Sequence, residues 1–426
     1  MQNKNYAFST NAVHAGEAPD PITGAIAPVL VRTKTYKQPE FGKEGKWQYS
    51  RGKNPTRSFL EEKLKTLEGD SEAEAFVFGS GVAAEAMLFL TLDPGDHIIC
   101  GREIYGGTYR LLTGLFNRFG ITSSFVDLGN LEEIRKAKTD RTKYIFVETP
   151  TNPSLEIIDL EKVDEIAKEL GIPWIADMTF SPPNVTRAFE YGAETVIHSV
   201  SKYIAGHNDV LGGAVITKNK SLAEKLWFMQ RAVGAILSPD ECYRVLQGVK
   251  TLSYRWEGTS KTALSVAEFL QKDSRVKRVL YPGLPNHPKY DIAKKQMKGG
   301  FGSVISFELK TENQNEIENF VKELTKNDLV VYGESLASPE TILAYPPLMS
   351  HKSLPRDERY KLGITDGFFR LSVGFEDEGD IKDELERALS VIQYGHDKVD
   401  HRNRRGGQGA ISRSSLHLRK QDKVRK

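Results

Sequence analysis

Residues 143–180 read KYIFVETPTNPSLEIIDLEKVDEIAKELGIPWIADMTF. The run from Lys143 to Glu148 is rich in β-branched and aromatic residues and stops at a Pro/Asn cluster, as a short strand does. The stretch LEKVDEIAKELG, 160–171, has a helical pattern and closes on Gly171. A second apolar run, from Ile172, ends in Asp177. Strand, helix and strand of these lengths form a βαβ unit, and such units build parallel sheets with both faces covered.

The pattern extends in both directions. EAFVFGS (74–80) precedes GVAAEAMLFLTL, HIIC (97–100) precedes GTYRLLTGLFNRFG, and SSFVDL (123–128) precedes NLEEIRKAK; beyond the opening stretch comes TVIHSV (195–200). The expected fold class is therefore α/β, with a mostly parallel central sheet. Ligands of such sheets bind outside the carboxyl ends of the strands. Four polar stations fall there: Gly79–Gly81, Glu148–Asn152, Asp177–Thr179 and Ser199–Lys202.

A chain of 426 residues exceeds one simple core. Residues 1–60, without long periodic segments, are expected to form an arm that packs on a neighbouring subunit. Residues 61–254 form the α/β domain, and 255–396, with GSVISFEL, NEIENFVKELTK and IKDELERALSVIQYG, a smaller α+β domain. Residues 397–426 are expected to be a basic, disordered tail. From His401 on, nine Lys/Arg face one Asp, and removing that surplus from the net +2 leaves −6 for the rest. The tail lacks aromatic stacking residues, so a terminal extension is expected rather than a nucleic-acid arm. Cys100 and Cys242 stand too far apart in sequence for a CxxC motif, and the nine histidines have no HExxH spacing, so no metal is expected. The opening residues have no apolar signal-peptide core and no run is long enough to span a bilayer; a cytoplasmic location follows as the expectation.

GSGVAA (79–84) matches the dinucleotide pattern G-x-G-x-x-A behind a strand, and Glu103 follows where a ribose-binding acid would stand. The same loop fits a single phosphate resting on the N–H groups of a helix start. The loop alone leaves both open. In IHSVSKYIAGHNDVLGG (197–213), Lys202 follows Ser199 and Ser201, and Asp177 ends the preceding strand 25 positions earlier. Pyridoxal phosphate needs a lysine to hold its aldehyde and a carboxylate to keep its ring nitrogen protonated. A dehydrogenase has no evident need for either. A turn or a helix cap accounts for Asp177, Ser199 or Ser201 singly, less well for all at one sheet edge. Pyridoxal 5′-phosphate is thus the expected cofactor, with Ser80, Gly81, Val82, Ser199 and Ser201 about its phosphate.

These residues resemble the transsulfuration group of pyridoxal-phosphate enzymes (Cys/Met metabolism), over about Thr10 to Tyr394. YSRGKNPTR (49–57) resembles the segment whose Tyr and Arg reach the cofactor phosphate of the neighbouring subunit, which implies Tyr49, Arg51 and a homodimer sharing active sites, or a tetramer. YGGTYRLL implies Tyr105 stacked on the ring, with a catalytic role, and Arg110 in the substrate pocket. ETPTNP implies Asn152 near the ring oxygen and the substrate, and ADMTF keeps Asp177 and Thr179. FRLSVGFED implies Arg370 for the substrate carboxylate, a task suited to a bidentate guanidinium. The resemblance also implies the aspartate-aminotransferase-like fold (fold type I), with Lys202 as catalytic base and cofactor lysine.

Two departures stand out. Met178 replaces the Asn of ADNTF, and ESLASPET (334–341) keeps Glu334 and Ser335 but not the glycines that follow. The implied reaction is γ-elimination on a sulfur amino acid, with L-cystathionine the leading substrate and Glu334 receiving its distal ammonium. A γ-synthase or an O-acetylhomoserine sulfhydrylase would use nearly the same residues. Gly107 stands where methionine γ-lyases carry a cysteine. An oxidoreductase and a non-catalytic binding protein are the readings of other classes.

Overall fold

The computed structural model describes residues 6–352 and 354–392. The expected tail, 397–426, lies outside the described residues, as does Tyr394. The chain begins with helices α1 (Phe8–His14) and α2 (Pro55–Leu67), with no long element between them. It then alternates through β1 (Glu74–Phe78), α3 (Gly81–Phe89), β2 (His97–Gly101), α4 (Gly106–Arg110), β3 (Thr122–Val126), α5 (Leu131–Ala137), β4 (Thr142–Glu148), α6 (Leu160–Leu170), β5 (Trp174–Asp177), β6 (Thr195–His198) and β7 (Gly213–Thr217). Helices α7 (Lys220–Val233), α8 (Pro239–Val249) and α9 (Leu252–Lys272) follow. The rest is β8 (Val276–Leu280), α10 (Tyr290–Gln296), β9 (Val304–Leu309), α11 (Gln314–Leu324), β10 (Val330–Tyr332), β11 (Thr341–Ala344), α12 (Arg356–Lys361), β12 (Phe368–Ser372) and α13 (Glu378–Leu389).

The first seven strands form one sheet in the order β1-β7-β6-β5-β4-β2-β3. It is parallel from β6 to β3, and only β7 runs antiparallel to its neighbours β1 and β6. Register fixes what meets at the rim: Glu148 lies opposite Asp177, and Asp177 opposite Ile197, so the three strand ends stop level. Alternate residues then pack on opposite faces. Phe146, Ile175 and Ile197 join Met87 and Leu88 of α3, while Ile145, Ala176 and Val196 join Val163 and Ile166 of α6. Burial of each large aliphatic chain is worth roughly 1.5–3 kcal/mol, which holds the rim in place. The α6 helix starts where Asp159 accepts the Lys162 N–H and stops at Gly171, whose φ of 65° suits glycine.

The second sheet, β10-β11-β12-β9-β8, is antiparallel except for the β10–β11 pair. Its core takes Ala263 and Leu270 of α9, Phe320 of α11 and Leu385 of α13. Two expectations need correction. The segment 107–120 is not one helix: α4 gives way to a π turn over Leu111–Leu115 and a 3-10 turn over Phe116–Phe119. Gly106, Gly107 and Gly114 weaken helical continuity there, and Gly120, at φ 80°, ends it. The stretch SKTALSVAEFLQKD, 260–273, is expected to be helical, and the helix it belongs to starts earlier, at Leu252. Among the described residues no helix is long and apolar enough to cross a membrane.

Candidate active site

The four stations open on one cavity of about 770 Å³. Its floor is the start of α3. Ser80 caps that helix by accepting the Ala83 N–H at 3.0 Å, leaving the N–H groups of Gly81 and Val82 as first-turn donors toward an anion. The fit against the neighbouring strand end is close: a Cβ on Gly81 would meet the Ser199 Cβ at 2.8 Å, and one on Gly213 the Ser80 carbonyl oxygen at 2.2 Å. Thr179 accepts the Ser199 N–H at 2.8 Å and so holds the two loops together. Among the described residues nothing takes the Ser199 hydroxyl. Ser201 lines the cavity, but its hydroxyl donates to the Gly212 carbonyl at 3.1 Å and accepts the Gly212 N–H at 2.9 Å. Ser201 therefore shapes the turn, and Ser199 is the freer donor.

Asp177 is buried at the end of β5, where its Oδ1 accepts the Thr179 N–H at 2.9 Å. Among the described residues no ion pair holds it. Burial pushes its carboxyl above the ordinary carboxylate range, against its bonds to Thr179, so a cation placed against it would be favoured. Lys202 stands across the cavity and donates to the Ser335 hydroxyl at 2.9 Å. Burial, with the Arg370 charge nearby, brings its ammonium down to about 8, although Glu334 opposes the shift. A cleft lysine so placed has a usable neutral fraction near neutral pH.

Arg370, 6% exposed on β12, donates to Asn152 Oδ1 at 2.8 Å and to the Ser335 carbonyl at 2.7 Å. Its Nε is buried without a partner, and among the described residues no carboxylate pairs with it. A buried guanidinium with donors to spare is a receptor for a carboxylate from outside. Tyr105, just before α4, and Arg110, at its end, line the same cavity, as do Asn152 and Glu334. Burial raises the Tyr105 phenol above its usual value.

Tyr49 and Arg51 do not line this chain's cavity. Both are exposed, and the Arg51 guanidinium lies 5.4 Å from the centre of the Tyr49 ring. Met178 is fully buried on the opposite face of the sheet among Val196 and Trp174, so that departure does not touch the cavity. Glu103 also lies apart, bonded to the hydroxyls of Thr151 and Ser154.

Two residues had no role assigned from the sequence. Glu148 accepts the Tyr105 N–H at 2.6 Å and the Asn152 N–H at 2.9 Å, one on each oxygen, and so sets both loops. Glu85 is buried in α3 behind the cavity floor and accepts the Thr108 hydroxyl at 2.7 Å. Its signal was legible: one acid inside the apolar run GVAAEAMLFL.

An anion cradle at a helix start, a buried carboxylate awaiting a cation, an amine and a carboxylate receptor around one cavity suit pyridoxal phosphate and an amino acid; fold and site define that class of enzyme. The family described as "Cys/Met metabolism PLP-dependent enzyme" matches residues 9–390, and the chain belongs to it. A cystathionine beta-lyase from Coxiella burnetii is 45% identical over 91% of this chain and 99% of its own. A cystathionine gamma-lyase from Bacillus subtilis is 40% identical over 90% and 99%. A solved cystathionine gamma-lyase from Lactobacillus plantarum, complexed with L-serine, superposes with a TM-score of 0.86 at 38% identity over 91% and 99%. The family is pyridoxal-phosphate-dependent, which removes the dinucleotide reading of 79–84.

Proposed function

We propose that this enzyme cleaves the Cγ–S bond of L-cystathionine, giving L-cysteine, 2-oxobutyrate and ammonia with uptake of one water. The observation that carries the reading is the pair of charged stations in one cavity: buried, unpaired Arg370 for one amino-acid end, and Glu334 with Arg110 for the other. Cystathionine has an amino-acid head at both ends.

Ser80, Gly81, Val82 and Ser199 would hold the cofactor phosphate, Asp177 its ring nitrogen, Tyr105 its ring face, Asn152 its ring oxygen and Lys202 its aldehyde. Thr179 and Ser201 fix the loops that carry them. Bound there, the cofactor supplies an electron sink for the pair left at Cα. Arg370 takes the α-carboxylate and turns Cα–H toward Lys202. Lys202, its neutral form favoured by burial, removes that proton and then acts at Cβ. The Tyr105 hydroxyl hands a proton to the departing sulfur, and Glu334 holds the distal ammonium. Tyr49 and Arg51 serve a neighbouring copy's phosphate, in a dimer or tetramer located in the cytoplasm.

A Cβ at residue 107 would meet the Tyr105 ring at 2.3 Å, so the cysteine of methionine γ-lyases has no room here unless the ring moves. A second reading, β-cleavage to homocysteine, pyruvate and ammonia, is favoured by the relative at 45% identity. The test is to incubate the enzyme with L-cystathionine and identify the keto acid. 2-Oxobutyrate supports γ-cleavage and pyruvate overturns it in favour of β-cleavage. Neither product, with turnover of an activated homoserine ester and a thiol, would move the assignment to γ-synthase or sulfhydrylase.

A further inference from the structure

Three carboxyl groups crowd the interior beneath the cavity: Glu85 of α3, Glu148 at the end of β4 and Asp177 at the end of β5, each 7% exposed or less. All three lie on the α3 side of the sheet, where burial first and then the Asp177 charge raise both Glu85 and Glu148, and Glu85 adds to Glu148. Around them, α4 brings Thr108, Tyr105 stands just before that helix, and β2 brings the Cys100 thiol, kept protonated by burial. On that face β1, β7 and α7 present apolar chains such as Phe76, Phe78, Val215 and Leu226. His198 of β6 turns to the other side, where it meets Glu68 at 2.5 Å, and from there it counts among the smaller influences that lower Asp177. Lys202 is the amine of the cavity above. Among the described residues, no basic side chain forms an ion pair with any of the three carboxyls.

Their hydrogen bonds differ in kind. Glu148 accepts backbone N–H donors on both oxygens, and Asp177 accepts one from Thr179. Backbone N–H groups only donate, so they favour a carboxylate. Glu85 has only the Thr108 hydroxyl, which can equally accept, and its Oε2 is buried without a partner. Burial pushes Glu148 well above the carboxylate range and, with Asp177, lifts Glu85 to about 8. Both oxygens of Glu148 are taken by N–H donors, while Glu85 has a free oxygen to carry a proton, so the hydrogen bonds place a shared proton on Glu85 in the cofactor-free chain.

We propose that Glu85 is a positioning residue that serves as a dischargeable counter-charge for the cofactor: neutral in the cofactor-free protein, it gives its proton to solvent when the cationic ring seats against Asp177. The balance is one O–H bond broken at Glu85 and one proton released, with no change at carbon. The inference rests on the placement of the ring at Asp177. Through Thr108 the same carboxyl holds α4 and thus Tyr105, so its charge state and the position of the stacking ring are linked.

The test is calorimetric. Full-length protein freed of cofactor is titrated with pyridoxal phosphate near pH 7.5, in two buffers of different protonation enthalpy, to count protons released per chain. Glu85→Gln, which keeps the shape and the Thr108 contact, is expected to release fewer protons than the parent, by a difference approaching one per chain. Lys202 contributes equally to both. Equal counts would overturn the proposal. If Glu85→Gln does not fold, difference infrared spectra of the parent decide: cofactor addition should erase a protonated-carboxyl C=O band, and persistence of that band overturns the assignment. Asp177→Asn separates the two readings. Unchanged cofactor affinity in that variant would sink the ring placement itself, whereas lost affinity with equal counts for Glu85→Gln and the parent would sink only the role of Glu85.

Discussion

Lys202 and Arg370 carry the sharpest single-residue consequences. Lys202→Ala should lower kcat by about 10⁴-fold or more, since base and cofactor anchor go together; a variant with ordinary turnover would refute the role. Capture of the cofactor by the cofactor-free protein needs the neutral amine. With the ammonium brought down to about 8, the capture rate should rise nearly tenfold between pH 6 and 7, reach half its limit near pH 8 and level off above about pH 9. Stopped-flow absorbance measures this directly, and a rate still climbing at pH 10 would mean that the amine is not shifted. Arg370→Ala removes a buried receptor for a charged group, so KM for the amino acid should rise roughly 30- to 1,000-fold, with a smaller change in kcat. Lys202 was legible because it stands in a polar cluster just after a strand end; Arg370, inside β12 between Phe369 and Leu371, was legible only through the resemblance of FRLSVGFED. Glu85 was harder, because one acid in an apolar pattern shows burial but not whom it serves, and Glu148, though seen at its strand end, carried no sign of the two N–H groups it takes. Ser201 was read as an anion donor; its serine pattern could not reveal that the Gly212 backbone takes its hydroxyl.

Among the elements, the loop 334–341 holds two residues whose type and backbone disagree. Ser335 has φ 96° and Ala337 φ 59°, left-handed conformations that cost a side chain about 1 kcal/mol or more. The Ala337 N–H donates to the Ser372 hydroxyl at 2.9 Å, which ties the loop to β12, and Ser335 holds both Lys202 and Arg370. Ala337→Gly relieves the left-handed conformation but gives up a buried methyl and loosens the unfolded chain, so the terms should nearly cancel and stability change by less than about 1 kcal/mol. A loss of about 2 kcal/mol or more in denaturation would show that the strain is not felt there. At the start of α3, Ser80→Ala should cost about 1 kcal/mol of stability and weaken cofactor retention. The alternation of strands and helices was legible from apolar runs and turn residues. The broken helix after Tyr105 was not, because glycines in an apolar sequence lower helix propensity without saying which kind of turn replaces the helix.

At the scale of the molecule, Tyr49 and Arg51 stand outside the cavity of their own chain, and the proposed shared site predicts complementation. Mixing Lys202→Ala with Arg51→Ala chains, each inactive alone, and allowing subunits to exchange should restore roughly a quarter of parent activity, since half the dimers are mixed and each has one intact site. No recovery despite proven exchange would place the whole site within one chain. Tyr49 and Arg51 could be proposed from a motif, but which copy they serve depends on geometry that no single chain contains.

The bond from Lys202 to Ser335, with Arg370 behind it, joins parts of the chain far apart in order of synthesis. Cavities assembled from such distant segments close late, because long loops must be ordered before their contacts form. During translation, the cradle at Ser80 and Gly81 can fold well before β12 leaves the ribosome. On the proposed placement of the coenzyme, a nascent chain would offer a phosphate shelf with no finished lysine pocket above it, and the coenzyme would be secured among the last events of biogenesis rather than serve as a template for it.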